Sequence, residues 1–251
     1  MTLGTEGQLL HVGLRTRNNT LSRSLIQELS HALDQHSREA SSRVMIISGQ
    51  GEKFFSPGFD LTEVSSFGRT QMDAMIEDFE ALAVALLRHP KPIVAQINGD
   101  CLAGGCILAS CCDFRLIRQE ARIGMTPMSY SVAVPYTAHQ VFLHLMGASR
   151  ARSALWLGES YSAGQALEIG WVDQVASADD LQSSCRELAL RLAEADPVAF
   201  STSKAFLLEP LLSRVDPPSS RRRKAFLDCW FSSGSQSRLR ATMERLRSKA
   251  T

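Results

Sequence analysis

Asn98-Gly99-Asp100-Cys101-Leu102-Ala103-Gly104-Gly105-Cys106-Ile107-Leu108-Ala109 is the stretch on which the fold turns. It follows an apolar run, Ile93-Val94-Ala95-Gln96-Ile97, that reads as a buried strand, and it leads into an apolar stretch with no strand alternation. Glycine where a strand gives way to a helix lets the backbone approach a ligand closely. It also leaves the first helical N–H groups pointing outward without partners. A second segment of the same kind lies upstream, Lys53-Phe54-Phe55-Ser56-Pro57-Gly58-Phe59-Asp60-Leu61-Thr62-Glu63. Two such ends brought together make an oxyanion hole. Within the second segment Asp60-x-x-Glu63 fits a capping box, with Asp60 accepting from first-turn amides as a structural cap.

Working outward, Leu9 to Leu14 (LLHVGL) reads as a strand and Asn18-Asn19-Thr20 as a turn. Leu21, Leu25, Leu29 and Leu33 then recur at helical spacing, and Val44-Met45-Ile46-Ile47 is a short, wholly apolar strand closed by Ser48-Gly49-Gln50-Gly51. Residues 71–89 carry a helical apolar stripe that stops at His89-Pro90-Lys91-Pro92, because proline restricts the residue before it. Another strand is expected at Phe114-Arg115-Leu116-Ile117, and largely helical patterning from about residue 138 to the end. Short buried strands alternating with helices to about residue 125 indicate an α/β core covered by helices. Arg221-Arg222-Arg223-Lys224 reads as a solvated helix start after a loop, with phosphate binding as the alternative.

Composition narrows the partners. The chain has 251 residues, enough for a sizeable core, and 44% hydrophobic with 21% charged residues is the balance of an ordinary globular protein. Its 27 basic and 26 acidic side chains nearly cancel, which argues against nucleic acid or an anionic membrane surface as partner. A small anionic ligand stays open. The N-terminus lacks the basic start and the apolar run of about 7–15 residues of a secretory signal, and no window approaches about 18 continuous apolar residues. The six cysteines show no Cys-x-x-Cys pair, so they are expected as buried, reduced thiols, which suits a cytoplasmic protein with no metal.

FFSPGFDLTEV and INGDCLAGGCILASCCDFRLI resemble the two signature segments of the crotonase (enoyl-CoA hydratase/isomerase) superfamily. RNNTL resembles that family's early asparagine turn, HPKPIVAQING its strand before the second glycine segment, and LWLGESYSAGQALEIGWVDQV its segment after the active site. The resemblance runs from about residue 9 to 205, and two glycine segments with these flanks make it specific. It implies a crotonase-like spiral of ββα units with a helical C-terminal region: residues 1–200 as the acyl-CoA-binding core and 201–251 as a helical oligomerisation region. It implies the amides of Phe59, just after Gly58, and of Gly104 as oxyanion donors to a thioester carbonyl. Arg17, Lys53, Ser56, Pro57, Asp60 and Leu61 would then lie along the coenzyme A, which enters as part of the substrate, with no separate cofactor. The partners so implied are an acyl-CoA or acyl-carrier-protein thioester and further copies of the chain, as a homotrimer or a dimer of trimers.

The pattern breaks at the acids. Hydratases of the family carry a glutamate three residues after the oxyanion glycine, where this chain has Ile107. An apolar residue there resembles the Δ3,Δ2-enoyl-CoA isomerases, yet the place of the mitochondrial-type isomerase's glutamate holds Pro127, and that of the peroxisomal type holds Tyr136. Residues 125–147 contain no Asp or Glu. Proton abstraction needs a basic group within hydrogen-bond reach. The tyrosine hydroxyl has a reference pKa near 10, too high for an efficient base, so Tyr130 and Tyr136 would serve as a hydrogen-bond donor or acid, and His139 and His144 are expected to face surface or core. The implied function is an isomerase- or hydratase-like activity on an acyl thioester, isomerase before hydratase. A different crotonase reaction, such as decarboxylation or thioester hydrolysis, and an acyl-CoA-binding scaffold without turnover stand as alternatives.

Overall fold

Main-chain pairing sorts the strands into two sheets. In the computed structural model, which describes residues 1–248 and leaves out the side chains of Tyr130 and of residues 246–248, β1 (Thr2–Glu6) and β2 (Leu9–Leu14) form an antiparallel hairpin. After α1 (Arg23–Arg38), the chain lays β3 (Val44–Gly49) parallel to β2 and then steps out to β4 (Phe54–Ser56) in a second, smaller sheet. The short α2 (Leu61–Val64) and long α3 (Arg69–Arg88) lead back to β5 (Ile93–Ile97). The step repeats with β6 (Asp100–Leu102) and α4 (Gly104–Ser110), and again with β7 (Phe114–Arg118), β8 (Arg122–Gly124) and α5 (Tyr136–Trp156). A strand in the large sheet, a strand in the small sheet and a helix thus recur along the chain, which is the expected ββα spiral.

The third part of the chain is mainly helical. β9 (Ser160–Ser162) closes the small sheet antiparallel to β8, and α6 (Ala163–Glu168) leads to β10 (Gln174–Ala176), the last strand of the large sheet. α7 (Leu181–Ala193), α8 (Pro197–Val215), α9 (Ser220–Trp230) and α10 (Ser233–Ser248) follow. The domain boundary expected at residue 200 falls inside α8, and Leu211, Val215, Phe226, Leu227, Trp230 and Leu239 join the same core as α1 and α3. Among the described residues no helix is long and apolar enough to cross a membrane.

Burial explains the apolar strands. Met45 and Ile47 of β3 face the main core, whereas Val44 and Ile46 face a second cluster with Leu181, Cys185 and Ala189 of α7. A parallel strand covered on both faces is apolar at every position, which is why 44–47 shows no alternation. α1 buries Leu25, Ile26, Leu29 and Leu33 on one stripe, and Ser22 caps it by accepting from Leu25 N at 3.2 Å. Leu21, expected as the first position of that stripe, instead precedes the cap. Cys101, Cys106, Cys111, Cys112 and Cys185 are buried and Cys229 is half-buried, all as free thiols.

Candidate active site

Two asparagines hold the site's loops. Asn19 is buried at a left-handed φ of 59°, tolerable for asparagine, and its Nδ2 donates to Gln50 O at 3.0 Å and Phe54 O at 2.6 Å. Asn98 both accepts from Gly49 N at 2.8 Å and donates to Gly49 O at 2.9 Å, so the turns after β3 and β5 are tied together. The expected asparagine turn and the Asn98-Gly99 turn therefore fix where β4 and β6 begin.

On that base the two glycine segments meet. Leu21 N donates to Gly58 O at 2.8 Å and Asp60 N to Leu21 O at 3.2 Å. This parallel bridge uses the groups on either side of Phe59 and turns Phe59's own N–H to the opposite edge. Gly104 is the first residue of α4, where an N–H has no intrahelical acceptor. Among the described residues neither amide donates a hydrogen bond. A Cβ at position 58, where φ is +96°, would stand 2.8 Å from Gly104 N, so only glycine allows the segments to lie this close. A Cβ at position 105 would lie 2.3 Å from Ser56 O, so glycine is equally required for α4 to seat on β4. Ala103, between β6 and α4, holds φ 49° and ψ −119°, with its N–H donating to Gly124 O at 2.9 Å. That strained residue aims the start of the helix.

The other expected residues distribute as follows. Asp60 caps α2, its Oδ1 accepting from Thr62 N at 2.9 Å and Glu63 N at 3.3 Å. The capping box is only half made: Glu63 does not return to Asp60 N but accepts from Arg23 N at 3.3 Å, because Asp60 N is taken by Leu21 O. Arg17 and Lys53 are exposed, Lys53 with its Nζ 5.3 Å from the Phe54 ring centroid. Ser56 is buried and accepts from Gly58 N at 3.3 Å, while Pro57 and Leu61 are half-buried. Ile107 is buried on α4, and Pro127 is half-buried in a 3-10 turn (Thr126–Tyr130) before α5. The side chain of Tyr130 lies outside the described residues. Tyr136 starts α5 with its ring under the Arg222 guanidinium, 3.5 Å from centroid to carbon. His139 Nδ1 donates to Pro135 O at 3.1 Å and His144 is exposed. The basic run is less solvated than its sequence suggests, since Arg223 is buried against Asp73 (2.6 Å) and Glu77 (3.0 Å).

One titratable group escaped the sequence reading. Glu80, on α3, is buried, and its Oε1 accepts from Thr137 Oγ1 at 3.0 Å. Burial pushes its pKa up, opposed by hydrogen bonds from Thr137 and the charges of Arg223 and Arg222. Its signal was present: Glu80 stands four residues after Ile76 and three before Ala83, on the apolar stripe itself. Phe79 beside it packs edge-on against the Phe59 ring at 5.0 Å, joining α3 to the glycine segment. Among the described residues no group of three or more His, Cys, Asp or Glu side chains could hold a metal ion.

An α/β spiral of ββα steps, with its two glycine segments meeting at Gly58 and Gly104, has the architecture of the crotonase fold. The chain belongs to the enoyl-CoA hydratase/isomerase family, whose model matches residues 5–245. It is similar to a crotonyl-CoA hydratase of Syntrophomonas wolfei, 26% identical over 94% of this chain and 91% of that protein. Similarity to the human mitochondrial enoyl-CoA delta isomerase 1 is 26% over 91% of this chain and 76% of that protein. The crystal structure of human mitochondrial delta3-delta2-enoyl-CoA isomerase superposes with a TM-score of 0.95, covering 100% of this chain and 99% of that one at 24% identity, a likeness of fold.

Proposed function

We propose that the chain binds the carbonyl of an acyl-CoA or acyl-carrier thioester between the amides of Phe59 and Gly104 and moves a double bond rather than adding water. The observation that carries this reading is the pair of unpaired N–H groups brought together where no Cβ fits at Gly58. When a C2 proton leaves a thioester, negative charge gathers on the carbonyl oxygen, and preset donors stabilise it without reorganising. Water addition needs a group that handles water. Ile107, buried, and Pro127 supply none. A double-bond shift needs only one group that carries a proton between carbons 2 and 4.

Arg17 and Lys53, both exposed on the approach to β4, are the cations available to the phosphates of coenzyme A, with Ser56, Pro57, Asp60 and Leu61 shaping its path. Assembly through the C-terminal helices, as a trimer or a pair of trimers, belongs to the same reading. α8 leaves Phe206 and Leu207 73% and 68% exposed, apolar surface that a second copy would cover. The free thiols suit a cytoplasmic setting.

The test is purified protein with 3-enoyl-CoA and 2-enoyl-CoA of several chain lengths, products separated by chromatography and weighed by mass spectrometry. Interconversion of the two isomers without a hydrate is the expected result. Release of free CoA or loss of carbon dioxide from a carboxylated substrate would replace the isomerase by another crotonase reaction. Binding with no product would make the chain a scaffold, and no binding at millimolar acyl-CoA would end the reading.

A further inference from the structure

The shift of a double bond requires one group that takes a proton and gives it back, and residues 125–147 offer no carboxylate. Among the described residues, one carboxylate oxygen is buried without a hydrogen-bond partner, and it is Glu80 Oε2. A carboxylate kept only for packing has its oxygens paired. Asp113 has a partner at each oxygen: Oδ2 accepts from Ile93 N at 2.8 Å and Lys204 Nζ at 2.9 Å, and Oδ1 lies 2.9 Å from the same ammonium. Glu80 shows half of it. Oε1 is held by Thr137, the second residue of α5, and Oε2 is left over.

The position also fits. Phe79 precedes Glu80 and braces the Phe59 ring, so one turn of α3 carries both the carboxylate and a wall of the oxyanion segment. Thr137 follows Tyr136 at the point where the chain leaves the loop containing Pro127. The carboxylate is therefore delivered from α3 to the start of α5, 57 residues further along the chain.

We infer that Glu80 is the general base of this site, an inference that rests on the reading of the site as one that binds a thioester and shifts its double bond. Oε2 takes the proton from C2 of a 3-enoyl thioester. The C–H electron pair becomes the C1–C2 π bond of a dienolate as the carbonyl π pair moves onto oxygen, where the charge meets the Phe59 and Gly104 amides. As the carbonyl re-forms, the double bond settles between C2 and C3. C4 takes the proton back from the Glu80 carboxylic acid, so the carboxylate is restored and nothing else is consumed.

The charged groups facing Glu80 are Arg222 and Arg223 on α9 and, on its own helix, Asp73 and Glu77, which hold Arg223; α5 presents Thr137. Burial lifts the carboxyl above its ordinary range, toward the pH at which an acid–base group works well.

The experiment uses Glu80→Gln, which preserves size and an acceptor for Thr137, and follows loss of deuterium from C2 of labelled 3-enoyl-CoA over a range of pH, with acyl-CoA binding by calorimetry. Wild type should lose the C2 label faster as pH rises through the ionisation of Glu80, whether the label reappears at C4 or passes to solvent, and Glu80→Gln should lose it about 100-fold more slowly while binding within about threefold of wild type. Thr137→Val removes a hydrogen bond to the charged form and should move the pH profile to higher pH, a shift that a merely structural role would not produce. If Glu80→Gln exchanges within about threefold of wild type, Glu80 is not the base. If wild type binds acyl-CoA but exchanges nothing at any pH, the base falls and the thioester-binding reading stands. If wild type does not bind acyl-CoA at all, both fall together.

Discussion

Replacing Gly58 by alanine tests the meeting of the two glycine segments directly. The new Cβ would stand 2.8 Å from Gly104 N, 3.0 Å from Ala103 Cβ and 3.4 Å from Leu102 O. All three neighbours are backbone or rooted on it, so none can swing away as a long side chain would. The φ of +96° adds strain of about 1–3 kcal/mol for any L side chain. Crowding of this kind costs about 1–3 kcal/mol more. At about 2–4 °C per kcal/mol for a chain this long, a total near 3 kcal/mol lowers the melting temperature by about 6–12 °C. Relief of the overlap also separates the Phe59 and Gly104 amides, and if these are the proposed oxyanion donors, loss of one should lower kcat by about 10²–10³. Gly164→Ala is the control: a Cβ there meets nothing within 4 Å, and alanine in α6 should raise stability by up to about 1 kcal/mol. Thermal melting and isomerisation kinetics on both variants decide the matter. If Gly58→Ala melts within about 2 °C of wild type and keeps its kcat, the two segments are not locked as described.

Hydration of crotonyl-CoA should stay below about 1 s⁻¹, the low end of ordinary turnover, and a faster rate in a spectrophotometric assay contradicts the isomerase reading. His36 and His89 share a 2.9 Å hydrogen bond in the core, and burial lowers them to about 4 and about 3. They fold neutral but take protons near pH 6.5 when unfolded, so their stability is complete above that pH and is lost as pH falls toward 4. A melting temperature that is flat between about pH 7 and 5 would count against this. Lys204→Met leaves the Asp113 carboxylate buried without its 2.9 Å partner and should cost about 3–5 kcal/mol in denaturant unfolding. A loss below about 1 kcal/mol would show that the pair holds α8 only weakly.

How much was legible depends on how local each feature is. The runs 9–14, 44–47, 93–97 and 114–117 were readable as strands because each is short and dominated by apolar, mostly β-branched or aliphatic residues, with a single His, Gln or Arg in three of them. α1 and α3 were readable from their stripes. The three-residue strands β4, β6 and β8 were not, since so short a segment becomes a strand only through its ladder partners. β9 and β10 were hidden within a helical third for the same reason.

The sequence by itself determined an α/β core through its periodicity, and its two glycine segments carried the resemblance that implied the spiral and the family, because these signals are written residue by residue. It also showed that positions 107, 127 and 136 hold no carboxylate. Only the tertiary structure decided which groups share the site. The turn of Phe59's amide comes from a bridge to Leu21, the half-made cap at Asp60 from the same bridge, and the orphan oxygen of Glu80 from a contact 57 residues away. A titratable group's role depends on what surrounds it, and for a buried group those surroundings come from distant parts of the chain.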